Sequence, residues 1–211
     1  MAGSTDIAEA IGSLREDDAK SLIRQQLDAG TPATDILAQC QKGLASVGDR
    51  FNTGEYFISE LMYAGEMMKD IMADLEPLLG EAAVMKGQAG HVVIGTVRGD
   101  IHDIGKDIVV LMLRGAGYDV TDLGVDVAPD QFVKTVQETG AFMVGMSVFL
   151  TTCCKAVEET VEALKAAGLR DGVSIFIGGA AASDLVAERT GCDGYGTTAV
   201  DAVALAGKAA G

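Results

Sequence analysis

The residues from position 98 to 106 include the side chains of this sequence that are best suited to bind a metal. Asp100 and His102 stand there, two positions apart. On an irregular loop this spacing lets the carboxylate accept a hydrogen bond from one ring nitrogen, while the other nitrogen stays free to ligate a metal. A single histidine is too little to hold zinc or iron, but it suffices as an axial ligand to a metal already held by a macrocycle. The alternative is a surface histidine with no role in binding.

The other candidate metal ligands do not predict a second site. The chain has two histidines and four cysteines, and neither a Cys-x-x-Cys nor a His-x-x-x-His motif occurs. A structural zinc site is therefore improbable. Because the cysteine spacing resembles no disulfide framework of a small secreted domain, we expect reduced thiols. We assign no role to the adjacent pair Cys153 and Cys154.

The composition narrows the classes of partner. The 211 residues include 31 Asp and Glu against 16 Lys and Arg, so the formal net charge is −15. Such a surface repels the phosphate backbone of nucleic acids and anionic lipid headgroups. The N-terminus has no basic, apolar leader, and no uninterrupted apolar run reaches the roughly 18 residues of a membrane span. We expect a cytoplasmic protein that binds neither nucleic acid nor membrane.

The first part of the chain has helical periodicity, which predicts a four-helix bundle over residues 1–86. In the last of its helices, from about Phe57 to Leu79, apolar residues recur at intervals of three and four. Most of that stripe is expected to be bundle core. Phe57 and Leu61, at the helix start, are the two that we predict to contact a ligand.

Residues 87–211 show apolar runs of strand length that alternate with helical segments, which is typical of a parallel α/β domain. The fold class predicted for the chain is α/β with an all-α N-terminal domain: a helical bundle followed by a doubly wound, Rossmann or flavodoxin-like sheet of five parallel strands. Ligands bind beyond the carboxyl ends of the strands in such sheets. We expect a hinge between the two halves at Gly80–Gly90. The predicted strands are His91–Val97, Tyr118–Leu123, Ala141–Ser147, Val173–Ile177 and the region around Asp193–Tyr195, and the predicted helices lie near 106–116, 129–139, 153–167, 181–190 and 198–208.

Three motifs at the predicted strand ends have a characteristic spacing. Asp-x-His-x-x-Gly ends at Gly105, Ser147 follows after 41 intervening residues, and Gly178-Gly179 follows after 30 more. This arrangement resembles the signature of cobalamin-binding proteins. The chain is similar to the cobalamin-binding module of methionine synthase and to the corrinoid proteins of methyltransferase systems, which also place a helical domain first. The resemblance implies cobalamin or a related corrinoid as the cofactor, in its methylcobalamin form, with cobalt as the metal.

The resemblance also implies a role for each motif residue. His102 would be the axial cobalt ligand, Asp100 would hydrogen-bond its ring, and Gly105 would leave room for the corrin and its nucleotide tail. Ser147 would meet the base of that tail, and Thr151, Gly178 and Gly179 would line it. The predicted cofactor-binding residues are Phe57, Leu61, Asp100, His102, Asp103, Ile104, Gly105, Ser147, Val148, Thr151, Gly178 and Gly179.

Two features depart from the family pattern, and both concern the tail pocket. The family usually has Ser-x-Leu after the third strand, whereas this chain has Ser147-Val148-Phe149. The interval from Ser147 to Gly178 is a few residues longer than usual. The departures leave the predicted cobalt ligand unchanged.

The function implied by the resemblance is that of a corrinoid methyl carrier. Such a protein accepts a methyl group on Co(I) from a methylated substrate through one partner methyltransferase. It delivers the group to a second methyltransferase, whose acceptor is tetrahydrofolate or a thiol. The chain would be non-catalytic alone, and a reductive activase would be a further partner.

Three alternatives stay open at this level. The small subunit of an adenosylcobalamin-dependent mutase shares Asp-x-His-x-x-Gly but normally lacks the helical domain. A cobalamin-responsive regulator combines both domains, but it also carries a DNA-binding module, for which this sequence offers no basic helix. The third alternative is a flavodoxin-like protein that binds another ligand, with His102 incidental.

Overall fold

The structure is a computed structural model that describes residues 6–78 and 90–210. The chain divides into two compact units, Met1–Gln88 with Arg114–Gly117, and Ala89–Leu113 with Tyr118–Gly211. The predicted boundary between residues 86 and 87 lies outside the described residues. The predicted hinge at Gly80–Gly90 also lies outside them, apart from Gly90.

The N-terminal unit is helical, as its periodicity predicts. Its core is formed by apolar residues that recur on one face of each helix. The helices at Ile7–Gly12 and Ala33–Asn52 approach each other closely at Gly43. A Cβ atom there would lie 2.7 Å from Cβ of Ile11 and 2.8 Å from the carbonyl oxygen of Ala8, so only glycine fits this crossing. The helices are α1 (Ile7–Gly12), α2 (Glu16–Asp28), α3 (Ala33–Asn52) and α4 (Ile58–Leu75), and a 3₁₀ turn follows at Glu76–Leu78.

The second unit contains a parallel sheet of five strands, which are β1 (His91–Thr96), β2 (Asp119–Asp122), β3 (Met143–Ser147), β4 (Ser174–Gly178) and β5 (Gly194–Gly196). Their order in the sheet is β2-β1-β3-β4-β5, which confirms the predicted doubly wound fold. Strand β1 lies between β2 and β3. At the carboxyl edge Thr96 pairs with Ser147, and Ser147 pairs with Gly178. This register places the ends of β1, β3 and β4 side by side.

Helices connect these strands and bury their apolar faces against the sheet. Buried residues of the strands, such as Val144 and Ile175, join Phe132 and Val157 of the helices in one core. The predicted helix at 181–190 is shorter than expected, because the Ser183 hydroxyl accepts the N–H of Val186 and so caps a helix that begins at Asp184. The helices are α5 (Ile104–Gly115), α6 (Pro129–Thr139), α7 (Cys154–Ala166), α8 (Asp184–Thr190) and α9 (Ala199–Ala209).

Over residues 6–78 and 90–210, no helix has both the length and the apolar character that are needed to cross a membrane.

Candidate functional site

The loop between β1 and α5 presents His102 at the carboxyl edge of the sheet. The hydroxyl of Thr96, the buried last residue of β1, donates to the carbonyl oxygen of His102 at 3.0 Å. The loop that follows β2 forms further hydrogen bonds with the β1–α5 loop. There Asp126 accepts the N–H of Gly99 at 2.7 Å through its carboxylate and donates its own N–H to the carbonyl oxygen of Asp100 at 2.9 Å. Asp126 has a φ of 53°, a conformation that costs free energy in residues other than glycine and is held here by these two bonds.

Asp100 joins this loop to the loop that follows β3. Its side chain is fully buried, and its two oxygens accept four hydrogen bonds. Oδ1 accepts from the backbone N–H of His102 at 3.1 Å and from its ring Nδ1 at 2.7 Å. Oδ2 accepts from the backbone N–H groups of Phe149 at 2.7 Å and Leu150 at 3.0 Å. One carboxylate therefore organises residues that lie about fifty positions apart in the chain.

These bonds keep Asp100 ionised at neutral pH. Burial by itself would raise the pKa of its carboxyl group, but the hydrogen bonds from Leu150, His102 and Phe149 outweigh burial and lower the pKa to about 2. An ionised carboxylate accepts hydrogen bonds only, so Nδ1 of His102 must carry the proton. In the neutral imidazole, Nε2 is then the nitrogen with the free lone pair.

The ring of His102, the predicted axial ligand, is held in a defined orientation with one nitrogen open. Its side chain is 46% exposed, and within the described part of the chain Nε2 has no hydrogen-bond partner. The ring of Phe149 stacks on the imidazole with 4.1 Å between centroids and 21° between planes. The imidazole thus has one nitrogen and one face occupied, and it offers Nε2 to a ligand. This arrangement confirms the hydrogen bond that the two-residue spacing predicts between Asp100 and His102.

The surroundings of His102 fit a large flat cofactor with apolar edges. Ile101 is 72% exposed and Ile104 is 77% exposed, so two apolar side chains beside His102 are open to contact with another molecule. A Cβ atom at Gly105 would meet no atom within 4 Å, so the space above this backbone is open. Among residues 6–78 and 90–210, no three His, Cys, Asp or Glu side chains cluster as a metal site. The open Nε2 of His102, beside this open surface, fits a metal that brings its own macrocycle and needs one axial nitrogen.

The ends of β3 and β4 bring the remaining motif residues beside this loop. Ser147 lies between Thr96 and Gly178 in the sheet, and the exposed Thr151 begins a 3₁₀ turn two residues after Phe149. The side chain of Val148 is fully buried in the core. Asp103 is exposed next to the first turn of α5. The contacts of these residues with a cofactor stay predictions.

The two residues predicted at the start of α4 differ in their environments. The side chain of Phe57 is largely exposed, whereas Leu61 is buried. Burial is the ordinary state of an apolar residue on the inner face of a bundle helix. A cofactor contact by either residue stays a prediction.

Gly179 is required by the packing of the backbone itself. Its φ is +105°, and a Cβ atom would lie 2.4 Å from the carbonyl oxygen of Val148. Gly178 differs, because a Cβ there would make only an ordinary contact of 3.6 Å with the carbonyl oxygen of Gly196. The fold thus requires glycine at Gly179, whereas Gly178 leaves space at the end of the strand.

We expect Gly179→Ala to lower the free energy of unfolding of the protein, with no ligand added, by about 2–4 kcal/mol, from backbone strain and overpacking together. Gly178→Ala is the matched control and should change it by less than about 1 kcal/mol. Urea denaturation of both variants measures the difference. Equal destabilisation by the two substitutions would contradict this account of Gly179.

Sequence reasoning does not place Thr96 or Asp126 at the site, and it assigns Phe149 to the tail pocket and not to a contact with His102. Phe149 had one available signal, since it stands where the family usually has leucine. Thr96 and Asp126 act through hydrogen bonds to the backbone of the β1–α5 loop, and such bonds leave no pattern in a single sequence.

Comparison with models of protein families identifies the family to which the chain belongs. Residues 90–204 match a family model described as a B12 binding domain, and residues 4–76 match a second model with the same description. The chain belongs to the B12-binding family. Its cofactor is cobalamin or a related corrinoid, and its resemblance to cobalamin-binding proteins is confirmed.

Curated relatives match over almost the whole chain. A corrinoid protein of Desulfitobacterium hafniense (strain Y51) is 38% identical over 205 residues, which cover 96% of this chain and 95% of the relative. The dimethylamine corrinoid protein of Methanosarcina barkeri is 37% identical over 201 residues, covering 95% of this chain and 94% of the relative.

Solved structures match both units. A cobalamin-binding protein from Desulfitobacterium hafniense DCB-2 has a TM-score of 0.86 and 35% identity, and the match covers 97% of each chain. A chain of the methanol:cobalamin methyltransferase complex MtaBC from Methanosarcina barkeri has a TM-score of 0.80 and 28% identity, covering 97% of this chain and 78% of that one.

Proposed function

We propose that the chain is a corrinoid methyl carrier. It accepts a methyl group from a methylated substrate through one partner methyltransferase and delivers the group to a second, whose acceptor is tetrahydrofolate or a thiol. The observation that carries the proposal is the oriented imidazole of His102, whose Nε2 is open at the carboxyl edge of a B12-binding fold. A reductive activase is a further expected partner.

Each residue near His102 has a defined part in this function. When bound, the corrinoid supplies a cobalt atom that can take up and release a methyl group. His102 would ligate that atom through Nε2, and Asp100 would hold the imidazole in the required tautomer. Ile101, Ile104 and Gly105 would face the ring, because they provide the exposed apolar and open surface beside the ligand.

The similar proteins support a carrier that works with separate enzymes. One relative is named as a dimethylamine corrinoid protein, and one similar chain was solved in a methanol:cobalamin methyltransferase complex. The helical unit argues against the mutase alternative, since small mutase subunits normally lack it and residues 4–76 match a B12-binding model. We therefore expect no turnover by the chain alone.

The test begins with reconstitution. The purified protein is mixed with excess hydroxocobalamin and desalted, and the proposal requires that corrin absorbance stays with the protein. The reduced holo-protein is then mixed with candidate methyltransferases and isotopically labelled dimethylamine, trimethylamine or methanol. Label that reaches the protein only when donor and enzyme are both present supports the proposal. A protein that is colourless after desalting would overturn it.

Gly105→Ala should have opposite effects on the two states of the protein. Without corrinoid, we expect stability to rise by up to about 1 kcal/mol, because alanine is a better helix former and its Cβ meets open space. With corrinoid, the same methyl group would crowd the ring and weaken binding about five- to hundredfold. Thermal unfolding and hydroxocobalamin titration measure the two effects. Unchanged affinity would show that the ring does not approach this backbone.

A further inference from the structure

The side chain of Phe149 contacts the imidazole of His102 face to face. The two rings stack at 4.1 Å between centroids and 21° between planes, although Phe149 is 47% exposed. A half-exposed phenylalanine on a loop gains little from burial in the core. Burial therefore does not explain why the ring of Phe149 lies against His102, the candidate axial ligand.

The backbone of Phe149 is held in place by the carboxylate that also orients His102. The N–H of Phe149 donates to Oδ2 of Asp100 at 2.7 Å, and the neighbouring Leu150 N–H donates to the same atom at 3.0 Å. Just before it, the N–H of Val148 donates to the carbonyl oxygen of Gly178 at 2.8 Å. The aromatic ring thus projects from a fixed backbone.

The hydrogen bond to Asp100 leaves one freedom of the imidazole unrestrained. A bond at Nδ1 fixes the direction of that nitrogen, but the ring can still rock about the line that joins Nδ1 to Oδ1. Such rocking would swing Nε2, which lies on the far side of the ring. A flat ring stacked against one face opposes this motion, whereas an aliphatic side chain offers a smaller and less planar contact.

We propose that Phe149 is a positioning residue that fixes the plane of His102 and thereby the direction of Nε2 before the corrinoid binds. This inference rests on the proposed function, because it takes Nε2 as the axial ligand. The family usually has leucine at this position. In this chain the aromatic ring of Phe149 holds His102 in the orientation that binding requires. Preorganisation raises affinity because less freedom is lost on binding.

The test compares Phe149→Leu with Phe149→Tyr in the full chain. In the corrinoid-free protein, the ring current of Phe149 should displace the carbon-bound proton signals of the His102 ring upfield, with assignment by a His102→Gln variant. We expect Phe149→Leu to abolish this displacement and Phe149→Tyr to retain it. Hydroxocobalamin affinity should fall about two- to tenfold in Phe149→Leu, the range expected for an aromatic pair, and should be restored in Phe149→Tyr.

The outcomes separate this inference from the proposed function. If the leucine variant keeps both the proton displacement and the affinity, or if both variants lose affinity equally, Phe149 does not position His102. Electron paramagnetic resonance of the cobalt(II) protein tests the ligand itself. If the unmodified protein shows no coupling to a histidine nitrogen, the assignment of His102 fails, whereas the proton signals of the corrinoid-free protein still report the stack.

Discussion

Replacing His102 by alanine is expected to remove the coupling to a histidine nitrogen from the cobalt(II) spectrum and to weaken hydroxocobalamin binding more than about 100-fold. Loss of a residue that merely supports a metal ligand already costs about 10- to 100-fold, so loss of the ligand itself should cost more. The corrinoid-free protein should lose only about 1–2 kcal/mol of unfolding free energy, because three of the four hydrogen bonds to Asp100 remain. Spectroscopic titration and urea denaturation measure the two effects.

The second histidine of the chain provides the matched control. His91 lies at the opposite end of β1, with Nε2 2.8 Å from the Thr121 hydroxyl and Nδ1 3.0 Å from the Asp119 carboxylate. Neither nitrogen is open for a metal. His91→Gln should therefore leave the spectrum and the affinity unchanged. Coupling to a histidine nitrogen that persists in His102→Ala, or disappears in His91→Gln, would contradict the assignment.

Replacing Asp100 by asparagine should destabilise the protein and also weaken binding. An amide has one acceptor oxygen, so its NH₂ group would face two N–H donors where an oxygen now accepts both. We expect about 2–4 kcal/mol less unfolding free energy without corrinoid, since bonds to a charged acceptor contribute about 1.5–3 kcal/mol each. Hydroxocobalamin affinity should fall about 10- to 100-fold, because His102 loses its orienting partner. Asp171→Asn, at an exposed position, is the control and should change neither quantity.

The effect of Asp100 should depend on pH in a defined direction. Its pKa of about 2 in the folded protein lies below the value of about 3.9 expected in an unfolded chain. A carboxyl group of this kind stabilises the fold fully above the unfolded pKa and loses that contribution as pH falls through the folded pKa. The difference in unfolding free energy between the natural protein and Asp100→Asn should therefore shrink between about pH 4 and pH 2. A difference that stays constant would show that the carboxylate is not the source of the stability.

Much of the fold could be predicted from the sequence, because its signals are local. Apolar periodicity in the chain follows the helices of the first unit and the strand and helix alternation of the second. All five predicted strands and all five predicted helices of the α/β unit are present, with ends displaced by a few residues. The displacement at Asp184 arises from a capping hydrogen bond, which periodicity does not report.

The contacts of the candidate site also include local ones, which the sequence predicts, and long-range ones, which it does not. The pairing of Asp100 with His102 joins residues two positions apart, so their spacing was sufficient to predict it. The contacts of Asp100 with Phe149 and Leu150 span about fifty positions, and they depend on the pairing of β1 with β3. The spacing of Gly178-Gly179 was a signal of the family, but the reason for Gly179 is the close approach of Val148.

By itself, the sequence determined the order of the elements, the family and the histidine that is predicted to offer a nitrogen to cobalt. Those properties depend on periodicity and on the spacing of motifs along the chain, which can be read from the sequence directly. Only the tertiary structure decided how that nitrogen is held: by a buried carboxylate shared between two loops, and by the aromatic ring of Phe149. These contacts exist because the register of the parallel sheet places Thr96 beside Ser147, and a register between distant strands is a property of packing that no local pattern contains.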